Sequence, residues 1–120
     1  MGKRVLLIEP YDHLANIIGL CLEDLGYEFD LATNGATGGR RLSEGTYDCV
    51  LINIDQNSDE WEDQGIYLGK RASSRHIPVV MIADHKIDAA TATAKGCTVV
   101  RKPFTLDKLK TAISRALAAA

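Results

Sequence analysis

Three short apolar runs, Val5-Leu6-Leu7-Ile8, Cys49-Val50-Leu51-Ile52 and Val79-Val80-Met81-Ile82, most constrain what this chain can become. Each is continuous rather than alternating and mostly β-branched or aliphatic. A strand with one wet face alternates apolar and polar residues, so unbroken runs of this kind suit parallel strands covered on both faces. Tyr27 to Ala32 and Thr98 to Arg101 are weaker strand candidates. Helix-period segments separate the runs. Leu14, Ile17, Ile18, Cys21, Leu22 and Leu25 recur at helical spacing and give the first helix one broad apolar stripe that ends before Gly26. Leu106, Leu109, Ile113 and Leu117 do the same for the last helix. There Thr105 is the expected N-cap, and Asp107 complements the dipole in the first turn.

The intermediate helices are poorer. Asn34 to Ser43 contains Gly35, Gly38 and Gly39, each costing about 1 kcal/mol relative to alanine in a helix interior. Ile87 to Lys95 is mostly Ala and Thr, with little apolar bulk to anchor it. Both are expected to be the mobile parts of the fold. Five β-α units in this order, joined by right-handed crossovers, make a doubly wound α/β fold: a five-stranded parallel sheet with helices on both faces. The functional crevice of such sheets lies at the carboxyl ends of the strands. That rule places Glu9, Asn53, Ala83 or Asp84, and Lys102 at one edge.

The length of 120 residues fits a single domain over residues 1–120, large enough to bury roughly two-thirds of its unfolded surface. Net charge is −2, so no global field draws the chain to nucleic acid or to an anionic membrane. No apolar run approaches the roughly 20 residues of a membrane span, and the N-terminus lacks a signal-peptide apolar core. Cys21, Cys49 and Cys97 have no metal-ligand spacing and are an odd number. They read as reduced thiols of a cytoplasmic protein.

Several short motifs then fall in order. His76-Ile77-Pro78-Val79-Val80-Met81-Ile82 leads into a strand, Ala94-Lys95-Gly96-Cys97 makes a turn, and Lys102-Pro103-Phe104 precedes a capped helix. Each is weak alone. Together they resemble a response-regulator receiver domain of two-component signalling, along essentially the whole chain, with the flavodoxin-like fold of that family. The resemblance implies a pocket in which two acids at the end of the first strand and an aspartate at the end of the third hold Mg²⁺, a hard cation that wants anionic oxygens. The aspartate attacks a phosphoryl donor, the lysine neutralises the product, and a Thr or Ser at the end of the fourth strand grips the phosphate. A switch aromatic in the fifth strand follows inward.

This chain departs from that pattern at nearly every position. The acid pair is Glu9-Pro10, the phosphoacceptor position is Asn53, the hydroxyl position is Ala83 and the switch aromatic is Val99. Only Lys102 and one acid are kept. By formal charge the family pocket carries about −2, whereas Glu9 plus Lys102 sum to about zero. An amide is neither a nucleophile toward phosphorus nor a carboxylate ligand. Four independent departures speak for a native loss. Glu9 and Lys102 are expected to form an ion pair across the pocket, with Mg²⁺ weak at most, at Glu9 and Asp55, or absent. Asp84 reads as a surface loop residue beside His85.

The segment from Asp55 to Gly65 is longer than the family's usual loop by about four residues. It holds Asp55, Asp59, Glu60, Glu62 and Asp63 around Trp61, the only tryptophan. It reads either as a docking epitope or as a solvated loop with Trp61 closing the pocket. Arg40, Arg41, Lys70, Arg71 and Arg75 fall on two different expected helices with no aromatic stripe between them, which ranks nucleic acid low. His13, His76 and His85 lack metal-ligand spacing. The expectation is a pseudo-receiver with no catalytic residue and no enzyme activity. It would signal without phosphorylation through a protein partner, in cis or in trans, by the acidic loop or the surface of the fourth helix, fifth strand and last helix. Two alternatives stand beside it: phosphorylation at a displaced Asp55, with Glu9 and Asp84 as metal ligands, and a small molecule held in the emptied pocket.

Overall fold

The computed structural model describes residues 3–53, 67–68, 70–72, 74–83 and 97–118. In chain order the elements are β1 (Arg4–Ile8), α1 (Asp12–Asp24), β2 (Glu28–Ala32), α2 (Gly35–Glu44), β3 (Cys49–Asn53), β4 (Val79–Ala83), β5 (Cys97–Arg101) and α3 (Leu106–Ala118). Residues 67, 68, 70–72 and 74, ahead of β4, are also helical. The strands form one parallel sheet in the order β2-β1-β3-β4-β5. This is the flavodoxin-like doubly wound order, with its switch point between β1 and β3.

The unbroken apolar runs are explained by two cores, one on each face. Val5, Leu7, Cys49, Leu51, Val80 and Ile82 point to the side carrying α1 and α3, where they meet Ile18, Leu22, Leu109 and Ile113. Their alternates Leu6, Ile8, Val50, Ile52, Val79 and Met81 point to the other side and meet Leu42, Leu68 and Ala72. The period-two alternation of side chains thus sends adjacent residues of one run into different cores.

Several boundaries and faces differ from the sequence reading. Tyr27 lies outside β2, because its N–H closes the end of α1 on the Leu22 carbonyl at 3.0 Å while Gly26 turns with φ of 82°. Asn34 caps α2 rather than belonging to it, its Oδ1 accepting from the Thr37 N–H at 2.8 Å. Cys97 joins β5. Ile17 is 45% exposed, so the α1 stripe is narrower than its apolar residues suggest. Gly19 takes the inward place instead, so close to β2 that a Cβ would stand 2.6 Å from Phe29 Cζ. Leu106, the first residue of α3, is 48% exposed, having no preceding turn to pack beside. The expected cap is present: Thr105 Oγ1 accepts from the Lys108 N–H at 3.1 Å. Of the two glycine- or alanine-rich helices, α2 is formed and capped, and Ile87 to Lys95 lies outside the described residues.

Candidate functional site

Parallel strands in register deliver their last residues to a common edge. Ile8 of β1 is paired with Ile52 of β3, so the next residues, Glu9 and Asn53, stand side by side. Asn53 is also paired with Ile82, which brings Ala83 alongside. Lys102 follows β5 and donates its backbone N–H to the Ala83 carbonyl at 2.8 Å. Glu9 is fixed in turn by its own N–H, which bonds the Ala32 carbonyl at 2.9 Å. Glu9, Asn53 and Ala83 are all fully buried, and Lys102 is half-buried. The topology therefore gathers the four residues that the sequence placed at one edge. Val99, paired with Met81, is half-buried against the core beneath α2.

A buried carboxylate must be met by donors. Asn53 Nδ2 lies 2.8 Å from Glu9 Oε1 and 3.0 Å from Oε2, and the Tyr11 N–H donates to Oε2 at 3.0 Å. A carboxylate only accepts, so the amide must present its NH₂ to it, and this fixes the Asn53 orientation by chemistry. Pro10 has no N–H, so Tyr11 supplies the first backbone donor after Glu9. This arrangement differs from the expected ion pair: Asn53 and Tyr11 donate to Glu9, and no Glu9–Lys102 pair is found between these two described residues, whereas Arg4 pairs with Glu28 and Asp30, and Lys110 with Asp24. The sequence held a signal for it, since an amide and a carboxylate ending neighbouring parallel strands are within hydrogen-bond reach by geometry alone.

Mg²⁺ favours six oxygen ligands in a near-octahedral shell, carboxylates foremost. The described residues at this edge supply one carboxylate, with both oxygens engaged by N–H donors, beside an amide that turns its nitrogen inward. That donor set does not fit such an ion. Among the described residues, no three His, Cys, Asp or Glu side chains converge as metal ligands. Asp55, Asp59, Glu60, Trp61, Glu62 and Asp63 of the acidic segment, and Asp84 with His85, lie outside the described residues.

Away from this edge, Cys21 and Cys49 are buried free thiols, and burial pushes the Cys49 thiol up to about 12. No helix among the described residues is long and apolar enough to cross a membrane.

No protein-family model matches the chain. Among curated proteins it is 28% identical over 115 residues to an NtrX-like response regulator of Rickettsia bellii, a match that covers 93% of this chain and 24% of the relative. The chain thus spans about a quarter of the length of that relative. Among solved structures, NtrX of Brucella abortus matches with a TM-score of 0.78 and 25% identity, over 99% of this chain and 27% of that one. The receiver domain of a sensor histidine kinase from Pseudomonas aeruginosa, with a magnesium ion coordinated in its active-site cleft, matches with a TM-score of 0.76 and 20% identity over 98% of this chain and 99% of that one. Strand order, two-faced core, strand-end lysine and sequence relatives agree: the chain has the fold of response-regulator receiver domains and is similar in sequence to response regulators.

Proposed function

We propose that this receiver domain works as a pseudo-receiver, a protein-interaction module of a two-component system that signals without phosphorylation of the strand-end position. The observation that carries the reading is the bond from Asn53 Nδ2 to both oxygens of Glu9. In the family pattern two carboxylates would sit here and repel one another until a divalent cation joined them. Here the amide donates to the remaining carboxylate directly, which supports a site that does without metal. Ala83 offers no hydroxyl to a phosphate, and Pro10 replaces the second acid. The domain is accordingly proposed to be no enzyme, to bind Mg²⁺ weakly or not at all, and to act on a protein partner in cis or in trans. Residues of the segment around Trp61 and the surface that includes β5 and α3 are its proposed contact regions.

The test is incubation with acetyl phosphate and millimolar Mg²⁺, read by intact mass, together with beryllofluoride and Mg²⁺ titrations followed by ¹⁵N–¹H spectra. The expected result is an unchanged mass and no saturable shift of the Glu9, Asn53 or Lys102 amides. A phosphoryl adduct that Asp55→Ala removes would replace this reading with the displaced phosphoacceptor.

A further inference from the structure

The five basic residues that the sequence scatters over two helices do not all stay apart in the fold. Arg40 of α2 and Arg71 of the helical stretch before β4 line one groove of about 510 Å³, together with Gly39, Ser43, Tyr67 and Leu68. Three features make it more than a gap between helices. First, the described lining is positively charged: it has two guanidiniums and, among the described residues, no acid, in a chain whose net charge is −2. Neither arginine belongs to an ion pair of the described residues. Second, Arg71 is held in place, its Nη2 donating to Ser43 Oγ at 2.5 Å. Third, the floor is bare and apolar. Gly39 leaves open the space where a Cβ would stand 3.6 Å from both Arg71 Nη1 and Leu68 Cδ2, and Tyr67 is 62% exposed at the rim.

A planar guanidinium recognises a carboxylate through paired N–H donors. Two of them flanking an apolar floor match carboxylates that flank an apolar side chain. Nucleic acid is a poorer match, because its affinity grows with the number of phosphates neutralised, and two cations neutralise few. We propose that this groove docks an acidic segment of a partner protein, with an aliphatic side chain over Leu68 and carboxylates on Arg40 and Arg71. The proposal goes beyond the pseudo-receiver reading and does not depend on the chemistry at Asn53.

The experiment is a ¹⁵N–¹H titration of the whole chain with the capped peptide Glu-Leu-Asp-Leu-Glu. Parallel titrations use Gln-Leu-Asn-Leu-Gln, inorganic phosphate and a short oligothymidine. The acidic peptide should shift the amides of Gly39, Arg40, Ser43, Leu68 and Arg71 saturably, and the neutral peptide should not. In the Arg40→Gln/Arg71→Gln double variant, with thermal melting confirming the fold, binding should weaken by roughly tenfold or more. Weakening of the interaction by salt is expected as well. Four results would overturn the proposal: no groove shifts with the acidic peptide, equal shifts with the neutral one, shifts reproduced by phosphate alone (a small-anion site), or tighter binding of the oligothymidine. Acetyl phosphate treatment of the same sample separates the two readings. A phosphoryl adduct with groove binding intact removes only the pseudo-receiver, whereas an unmodified chain with a silent groove removes only the docking site.

Discussion

Glu9 and Asn53 differ from an acid pair by one NH₂ group, and that group changes the sign of their interaction. An amide nitrogen 2.8 Å from a carboxylate oxygen is a hydrogen bond; an oxygen anion at the same place is two like charges in a buried site. Asn53→Ala removes the donor and leaves Glu9 with less than it needs, an expected loss of about 1–3 kcal/mol in urea unfolding. Asn53→Asp should cost more than the alanine change when metal is absent, and millimolar Mg²⁺ should return part of the loss. An Asn53→Asp variant as stable as the parent in chelator would mean that the amide bond is not what holds Glu9. Cys49 gives a pH-dependent counterpart. Burial, with a smaller contribution from the Asp48 charge, raises its thiol from an ordinary value of 9.0 to about 12. A raised folded-state value gives stability that is complete below about pH 9 and is lost as pH climbs toward 12, because only the unfolded thiol ionises in that window. Each pH unit within it costs at most about 1.4 kcal/mol from this group. Cys49→Ala should flatten that part of the profile of urea midpoints against pH, and native Cys49 should resist iodoacetamide until urea unfolds the chain.

The helices separate what the sequence makes legible from what it does not. Strand identity was readable because each run is buried on both sides and carries no polar residue to confuse the period. Neighbourhood across the sheet was not readable, and Gly19, Gly38 and Gly39 show why: a glycine's role is set by what stands opposite it. In α2 a Cβ on Gly38 would meet Ile8 Cδ1 at 3.1 Å and Leu68 Cδ1 at 3.4 Å, whereas one on Gly39 meets nothing nearer than 3.6 Å. The sequence reading charged both glycines with the same helix penalty. The structure divides them. Gly39→Ala should gain roughly 0.5–1 kcal/mol from helix propensity, and Gly38→Ala should gain less or lose, as Ile8 is forced to move. In α1, Gly19→Ala would drive a methyl into the Phe29 ring at 2.6 Å, with an expected cost of about 1–3 kcal/mol that Phe29→Leu in the same chain partly relieves. Chemical denaturation of the three alanine variants orders them, and a Gly19→Ala protein at parental stability would show that β2 yields to α1. The strand-end site was half legible in the same way. The topology rule gathered Glu9, Asn53, Ala83 and Lys102, but composition could not show that the Asn53 amide is a hydrogen-bond partner of Glu9.

At the scale of the whole molecule, a bound metal is a stabilising ligand, and its absence from the energy balance is measurable. A protein that binds an ion only when folded gains RT ln(1 + [L]/Kd), about 1.4 kcal/mol when the ion stands at ten times its dissociation constant. For a domain of this size such a gain moves the melting temperature by several degrees. A receiver with an intact acid cluster should therefore melt higher in millimolar Mg²⁺ than in chelator. In this chain the one described carboxylate at the crevice already accepts from Asn53 and Tyr11, so Mg²⁺ would have to displace protein donors before gaining Glu9 as a ligand. The melting temperature of the parent is expected to be the same in Mg²⁺ and in chelator at constant ionic strength, while Asn53→Asp moves upward with Mg²⁺. Ionic strength must be matched because the exposed pairs Arg4–Glu28 and Asp24–Lys110 weaken with any salt. A parent that rises with Mg²⁺ as steeply as the Asn53→Asp variant would place a second anionic ligand at the crevice, and the settled amide–carboxylate pair would then be only one of its states.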